Sequence, residues 1–271
     1  MSLASERLFC SPEPRVGLVI ATFAALPYVH LALESRCRFY PQVPVLVHDD
    51  GSPQAPVLRQ LCAQYGVAFS CNPHRLRHTV GDLSAFVEGL EWAGHLGLEM
   101  LVKMSRRFMP LVNWLPGLQQ LAWHSQYATY SQRCTGSGFG FRTQCIGLHV
   151  PSWRNGGPYE SLRQRTCLNE PLFVEGYVHN LARTLHRSCC DANRHYEAQH
   201  PRPGEADAYG AWPLMPESRW ERSAHLLWHD CDTPVDYARL AVLYGLPYSP
   251  LDFEDPNQGA GLGVDMSGAA E

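Results

Sequence analysis

Lysine is almost missing from this sequence: Lys103 is the only one in 271 residues, and arginine carries the rest of the basic charge. A bias this uniform is compositional. It lowers what any single arginine says and raises the interest of the one lysine. Cys-X-X-Cys pairs are missing too. The cysteines stand at 10, 37, 62, 71, 134, 145, 167, 189, 190 and 231, and without such pairs a structural zinc site lacks its usual framework. No run approaches the roughly 20 apolar residues that cross a bilayer. The N-terminus sets Glu6 and Arg15 around a short apolar patch, with no h-region or cleavage site. A cytoplasmic protein is expected, without a transmembrane segment and with reduced, buried thiols. A basic stripe is also lacking. With a net charge of −4, general nucleic-acid binding is not expected.

What is present, with 45% apolar residues, is an alternation of strand and helix signals. Val16 to Phe23 is a near-continuous apolar run, as a parallel strand covered on both faces requires. Pro27 to about Tyr40 suits a helix with proline in its first turn. Val43 to Val47 forms a second strand that closes in His48-Asp49-Asp50-Gly51-Ser52. Ser52 caps a helix from Pro53 to Tyr65, which Gly66 stops. Val67 to Cys71 is a third strand, Asp82 to about Leu96 a helix, and Glu99 to Met104 a fourth strand ending in Ser105-Arg106-Arg107.

The second half is less regular. Tyr127 to Gln132 and Phe141 to Val150 read as strands around a turn with Gly136, Gly138 and Gly140. Leu172 to Cys190 and Val235 to Tyr244 read as helices, and residues 197–223 as a long loop. The expected fold class is α/β: a mostly parallel sheet with helices on both faces. One domain over 15–256 is expected, between an N-terminal extension (1–14) and a flexible tail (257–271). The aromatic set Trp212, Trp220, Trp228, Tyr237 and Tyr244 suits a core better than a sugar platform.

Open parallel sheets bind ligands at the carboxyl ends of their strands. The two most polar ends here are Asp49-Asp50-Gly51-Ser52 and Ser105-Arg106-Arg107. At these residues the sequence resembles the GT-A (Rossmann-like) glycosyltransferases, closest to family 2. The first strand with Ala21-Thr22-Phe23, the helix after it and Val47-His48-Asp49-Asp50-Gly51-Ser52 match that family's opening. The resemblance covers about residues 15 to 110 well and the later half loosely.

The resemblance implies that Thr22, Asp49 and Asp50 hold the nucleoside, a task suited to carboxylates, which accept several hydrogen bonds from a diol or an imide. Asp49 and Asp50 can equally serve as caps of the next helix. At the fourth strand the sequence departs from the pattern. Family members carry Asp-X-Asp there to hold a divalent cation against the donor diphosphate, whereas this chain has Lys103-Met104-Ser105-Arg106-Arg107. Cations can neutralise a diphosphate directly, and arginine forks match phosphate oxygens, so Arg106 and Arg107, with Lys103 and Ser105, are expected to bind the nucleotide there in place of the metal. Alternation along a strand places Lys103, Ser105 and Arg107 on one face and Arg106 on the other, unless the strand has ended by then.

An inverting transferase also needs a base for the acceptor hydroxyl, and the resemblance points to Glu170 or Glu175 near a helix start. Helix-start chemistry explains Glu170 equally well. His229 resembles a late histidine that some GT-A enzymes place near the diphosphate. The expected activity is sugar transfer from a nucleotide-sugar donor, a UDP-sugar being one candidate, to a glycan or lipid-linked acceptor hydroxyl. Neither metal nor other cofactor is expected. The alternative is a catalytically silent relative that binds a nucleotide or a partner. A nucleotidylyltransferase is disfavoured, since no glycine-rich loop follows the first strand.

Overall fold

The computed structural model describes residues 7–76, 78–133, 141–170, 172–185, 226–227 and 233–254. Five strands of its six-stranded sheet run in one direction. Strand β1 (Val16–Thr22) leads through helix α1 (Leu26–Phe39) to β2 (Val45–Asp49), then through α2 (Ala55–Gln64) to β3 (Ala68–Cys71). The chain next returns along α3 (His78–His95) to β4 (Met100–Ser105) on the other side of β1. A two-residue strand β5 (Met109–Pro110) and helix α4 (Leu115–Ser125) follow. Strand β6 (Thr129–Arg133) and then β7 (Phe141–His149) complete the sheet. The order is β3-β2-β1-β4-β7-β6, with β7 antiparallel to both neighbours. Helices α5 (Val150–Asn155), α6 (Pro158–Leu168) and α7 (Val174–Arg183) come next. They precede β8 (Leu226–Leu227), which pairs with β5, and α8 (Pro234–Tyr244).

Both faces of the sheet are covered, because the strand interiors are apolar on both sides. One face packs Leu18, Ile20, Val47 and Met104 against α1 and the buried Tyr237 and Ala241 of α8. The other packs Val19, Leu46, Leu101 and Ile146 against Phe86 and Leu90 of α3, with Trp153 and Val178 behind them. The α/β class and the mostly parallel sheet agree with the sequence reading. The N-terminal extension is held where it is described: Leu8 and Phe9 donate their N–H groups to Gln126 Oε1, and Phe9 is buried. No helix among the described residues is long and apolar enough to cross a membrane.

Several expected boundaries move. Helix α3 begins at His78, before the expected Asp82. Helix α7 ends at Arg183, and residues 186–190 of the expected longer helix lie outside the described residues. Helices α4 and α6 were not legible. The cysteines also differ from the expectation of buried thiols. All six described ones are free, but only Cys62 and Cys145 are buried, while Cys10, Cys37 and Cys167 are exposed. The glycine-rich turn, the 197–223 loop, Trp212, Trp220, Trp228 and the tail lie outside the described residues.

Candidate functional site

Strand order reverses between β1 and β4, since the chain builds outward through β2 and β3 and then crosses to the other side of β1. A crevice at the carboxyl ends of the strands is the geometric consequence. It is present as a cleft of about 770 Å³. Thr22 and Phe23 line it from the end of β1, Asp50 from β2, and Ser105, Arg106 and Arg107 from β4. Helix α3 contributes Gly81 and Asp82, β7 contributes Thr143 and Gln144, and α7 contributes Glu175.

Asp50 is buried and held from several sides. Its Oδ1 accepts from Asn72 Nδ2 at 2.8 Å and from the Leu76 N–H at 3.1 Å. Burial raises its carboxyl above the ordinary value and Asp49 adds to the rise, while those hydrogen bonds and Arg75 pull the other way. Behind Asn72 lies a chain of buried groups. Asn72 Nδ2 also donates to Ser84 Oγ at 2.9 Å, and Ser84 Oγ donates to the Gly81 carbonyl at 2.7 Å. His48 Nε2 lies 2.8 Å from Ser84 Oγ, and its Nδ1 lies 2.8 Å from Ser70 Oγ. Because the Ser84 proton is directed to Gly81, the network is satisfied when His48 carries its proton on Nε2. Burial depresses the His48 pKa to about 4, so the ring is neutral near pH 7.

Asp49 does something else. Its Oδ2 accepts from the Ser52 N–H at 2.7 Å inside the turn, and it does not line the cleft. Helix α2 starts at Ala55 with Gln54 at its N-cap and no side-chain cap, so neither Asp49 nor the expected Ser52 caps it. Of the two neighbouring carboxylates, only Asp50 faces the cleft. Gly51 makes the turn after them possible at φ 67°, where a Cβ would meet the His74 backbone at 2.4 Å.

Strand β4 ends at Ser105, and Arg106 and Arg107 lie in the turn that closes when the Phe108 N–H donates to Ser105 O. Strand alternation therefore no longer applies, and both arginines reach the cleft. Arg106 Nη1 donates to Phe23 O at 2.6 Å. That carbonyl is presented by a bend in which Ala24 holds φ 46°, the left-handed region that costs an L-residue energy. Arg107 lies 5.4 Å from the Tyr28 ring, and Tyr237 donates to its carbonyl. Arg75, which sequence reasoning missed, stacks on Phe23 with its guanidinium carbon 3.9 Å from the ring centroid.

Lys103 also lines the cleft, but its ammonium is engaged within the protein. Its side chain is 1% exposed, and Nζ donates to Asp82 Oδ1 and, at 2.8 Å, to Thr143 O. A strand-interior lysine under a helix must find a counter-charge, and Asp82 supplies it. The ammonium is thus spent inside the protein. Asp82, missed as a site residue, lines the cleft, and Lys103 engages its Oδ1. A lone lysine inside an apolar strand was the signal that an acid must stand on the preceding helix. Three polar atoms at the cleft are buried without a hydrogen-bond partner among the described residues: Thr22 Oγ1, Ser105 Oγ and Gln144 Oε1.

Glu175 lines the cleft from the first turn of α7, and its side chain makes no hydrogen bond among the described residues. Glu170 is away from it, with a side chain 61% exposed and paired to Arg165 at 2.9 Å. His229 lies outside the described residues. Among the described residues, no group of three or more His, Cys, Asp or Glu side chains has an arrangement that could hold a metal ion.

No family model and no curated protein matches this sequence. Solved structures do match. The apo form of the glycosyltransferase GlyE from Streptococcus pneumoniae TIGR4 aligns at 13% identity and a TM-score of 0.49, over 86% of this chain and 62% of that one. The mannosyltransferase PcManGT from Pyrobaculum calidifontis, in complex with GDP-Man and Mn2+, aligns at 14% identity and a TM-score of 0.44, over 68% and 57%. A cytidylyltransferase from Leptospira borgpetersenii aligns at 12% identity and a TM-score of 0.38, over 61% and 69%. This chain thus spans less than two thirds of the two glycosyltransferases. At such identities no residue's role passes from those proteins to this one.

Proposed function

We propose that this protein is a metal-independent glycosyltransferase of the GT-A type, moving a sugar from a nucleotide-sugar to an acceptor hydroxyl. One observation carries the reading. Thr22, Asp50, Ser105, Arg106, Arg107 and Glu175 meet in a single cleft at the strand-order reversal. In this reading the anchored Asp50 carboxylate accepts from the nucleoside. Arg107, with Arg106 beside it, binds the diphosphate where the family pattern has a cation. Arg106 also donates to Phe23 O. Lys103 takes no part.

The reaction is a displacement at the anomeric carbon. The acceptor oxygen forms a bond to that carbon as its bond to the phosphate oxygen breaks, and the electron pair leaves on the diphosphate. Glu175, unpaired and facing the cleft, takes the acceptor proton. Attack from the face opposite the leaving group inverts the configuration. The positive guanidinium groups offset the charge that develops on the departing diphosphate. Glycan or lipid-linked hydroxyls are the proposed acceptors, and a UDP-sugar is one candidate donor.

Calorimetric titration with UDP, GDP and CDP, with and without EDTA, tests the proposal. One nucleotide is expected to bind with unchanged affinity in the chelator. Arg107→Ala should weaken it by about tenfold to a hundredfold, the range for charge-assisted hydrogen bonds. Glu175→Gln should bind that nucleotide normally but transfer no sugar. Binding abolished by EDTA would contradict the metal-free reading, and absence of any nucleotide binding would contradict the whole of it.

A further inference from the structure

The cleft continues past the arginine turn to a second polar group with a different chemistry. Asp82 and Thr143 meet at Lys103 Nζ. Gln144 follows Thr143 and comes level with Ser105 across the β4–β7 ladder, one step beyond the Met104–Cys145 pair. Lys103 takes one oxygen of Asp82, and Asp82 has no other polar partner among the described residues. Its side chain is 24% exposed, in contrast to the buried lysine beneath it. Gln144 Oε1 and Ser105 Oγ are buried at the same place with no partner. Glu175 faces the cleft from α7.

Buried polar atoms are rarely left unpaired unless something else completes them. A phosphate cannot do this for a carboxylate or an amide oxygen, because both sides accept and neither donates. A ring bearing several hydroxyl groups can. Each hydroxyl donates once and still accepts, which suits Asp82 Oδ2, Gln144 Oε1 and Ser105 Oγ together. A sugar carrying its own carboxylate would instead set acceptor against acceptor at Asp82 and bring like charge to Glu175.

Resting on the transferase reading above, we infer that the Asp82–Ser105–Gln144 end of the cleft selects the donor sugar, and that it selects a neutral, hydroxylated sugar over an acidic one. The Lys103–Asp82 pair is the device. The lysine fixes the carboxylate in place from below, and only the upper oxygen is left to read a hydroxyl. Asp82, Ser105 and Gln144 are specificity residues in this account.

The test compares UDP, UDP-glucose and UDP-glucuronate, and in parallel GDP, GDP-mannose and GDP-mannuronate, by calorimetry on the full chain. The nucleotide series that binds should favour the neutral sugar over the uronate by tenfold or more. Gln144→Leu should lose roughly tenfold for the neutral sugar nucleotide, the fold-change of one hydrogen bond, with the bare diphosphate unaffected. That unaffected binding also reports that the variant is folded. Asp82→Asn keeps an oxygen for Lys103 and should narrow the gap between neutral and acidic sugars. If the uronate binds as tightly as the neutral sugar, or Gln144→Leu weakens the bare diphosphate equally, the inference falls and the nucleotide site stands. If none of UDP, GDP and CDP binds, both fall.

Discussion

Gly81 lies on α3 where a Cβ would come within 2.2 Å of Asp50 Oδ2. Glycine in a helix interior ordinarily costs about 1 kcal/mol relative to alanine, so Gly81→Ala would be expected to stabilise an isolated helix. Here the carboxylate cannot give way without leaving Asn72 and the Leu76 N–H, and overpacking of this kind costs about 1–3 kcal/mol. The clash should win. Gly81→Ala is expected to lower the melting temperature and weaken nucleotide binding; a more stable variant with normal binding would show that Asp50 is not held as described. Asn72 gives a second prediction at this scale. Its hydrogen bond holds the Asp50 pKa down against burial. Removing it in Asn72→Leu should raise that pKa, so nucleotide binding, which uses the ionised carboxylate, should fade at a higher pH than in the parent. An unmoved acid limb in a titration series from pH 7 to 4 would speak against the role of Asp50.

Helix α3 and strand β4 are joined through the Lys103–Asp82 pair, and the pair is lopsided in burial. Removing the acid strands an ammonium that is 1% exposed, whereas removing the lysine leaves a carboxylate that water can still reach. Breaking a buried pair by deleting its partner costs about 3–5 kcal/mol. Asp82→Ala should therefore be much more destabilising than Lys103→Met in denaturant unfolding. Equal losses would mean that the pair is hydrated from both sides. These elements also show what a sequence can reveal. Strands β1 to β4 are legible because each is a short apolar run ended by a polar turn. The start of α3 is not, because Gly81 and the polar residues beside it blur the apolar stripe. Helix α6 buries only Pro158 and Leu162, too few for a periodic signal. Thr22, Asp50 and the two arginines could be read from strand ends, since strand order alone gathers them. Arg75, Asp82 and Gln144 join the cleft through tertiary packing that leaves no local pattern.

For the molecule as a whole, two buried histidines contribute strongly to the response to acid. Burial lowers the pKa of His48 and of His149 to about 4 each, from an ordinary 6.5. The unfolded chain takes up these protons below about pH 6.5, while the folded chain resists until about pH 4. Stability should therefore fall as the pH drops through that window and level off, for these groups, beneath it. The cost is at most about 3 kcal/mol for each histidine. Asp50 and Glu88 act in the opposite sense: with their folded pKa values raised by burial, lowering the pH relieves a destabilisation, while His30, lowered by burial, adds to the effect of the other two histidines. Urea unfolding at successive pH values checks the sum. A profile with no loss of stability between pH 6.5 and 4 would contradict burial of the two histidines in neutral form.

The most direct measurement is a crystal structure of the protein grown with the tightest-binding nucleoside diphosphate and magnesium. The account predicts the nucleoside against Asp50 and the diphosphate on the Arg107 guanidinium, with no ion between phosphate and protein. A nucleotide bound elsewhere, or a magnesium ion bridging the diphosphate to Asp50 or Asp82, would contradict it.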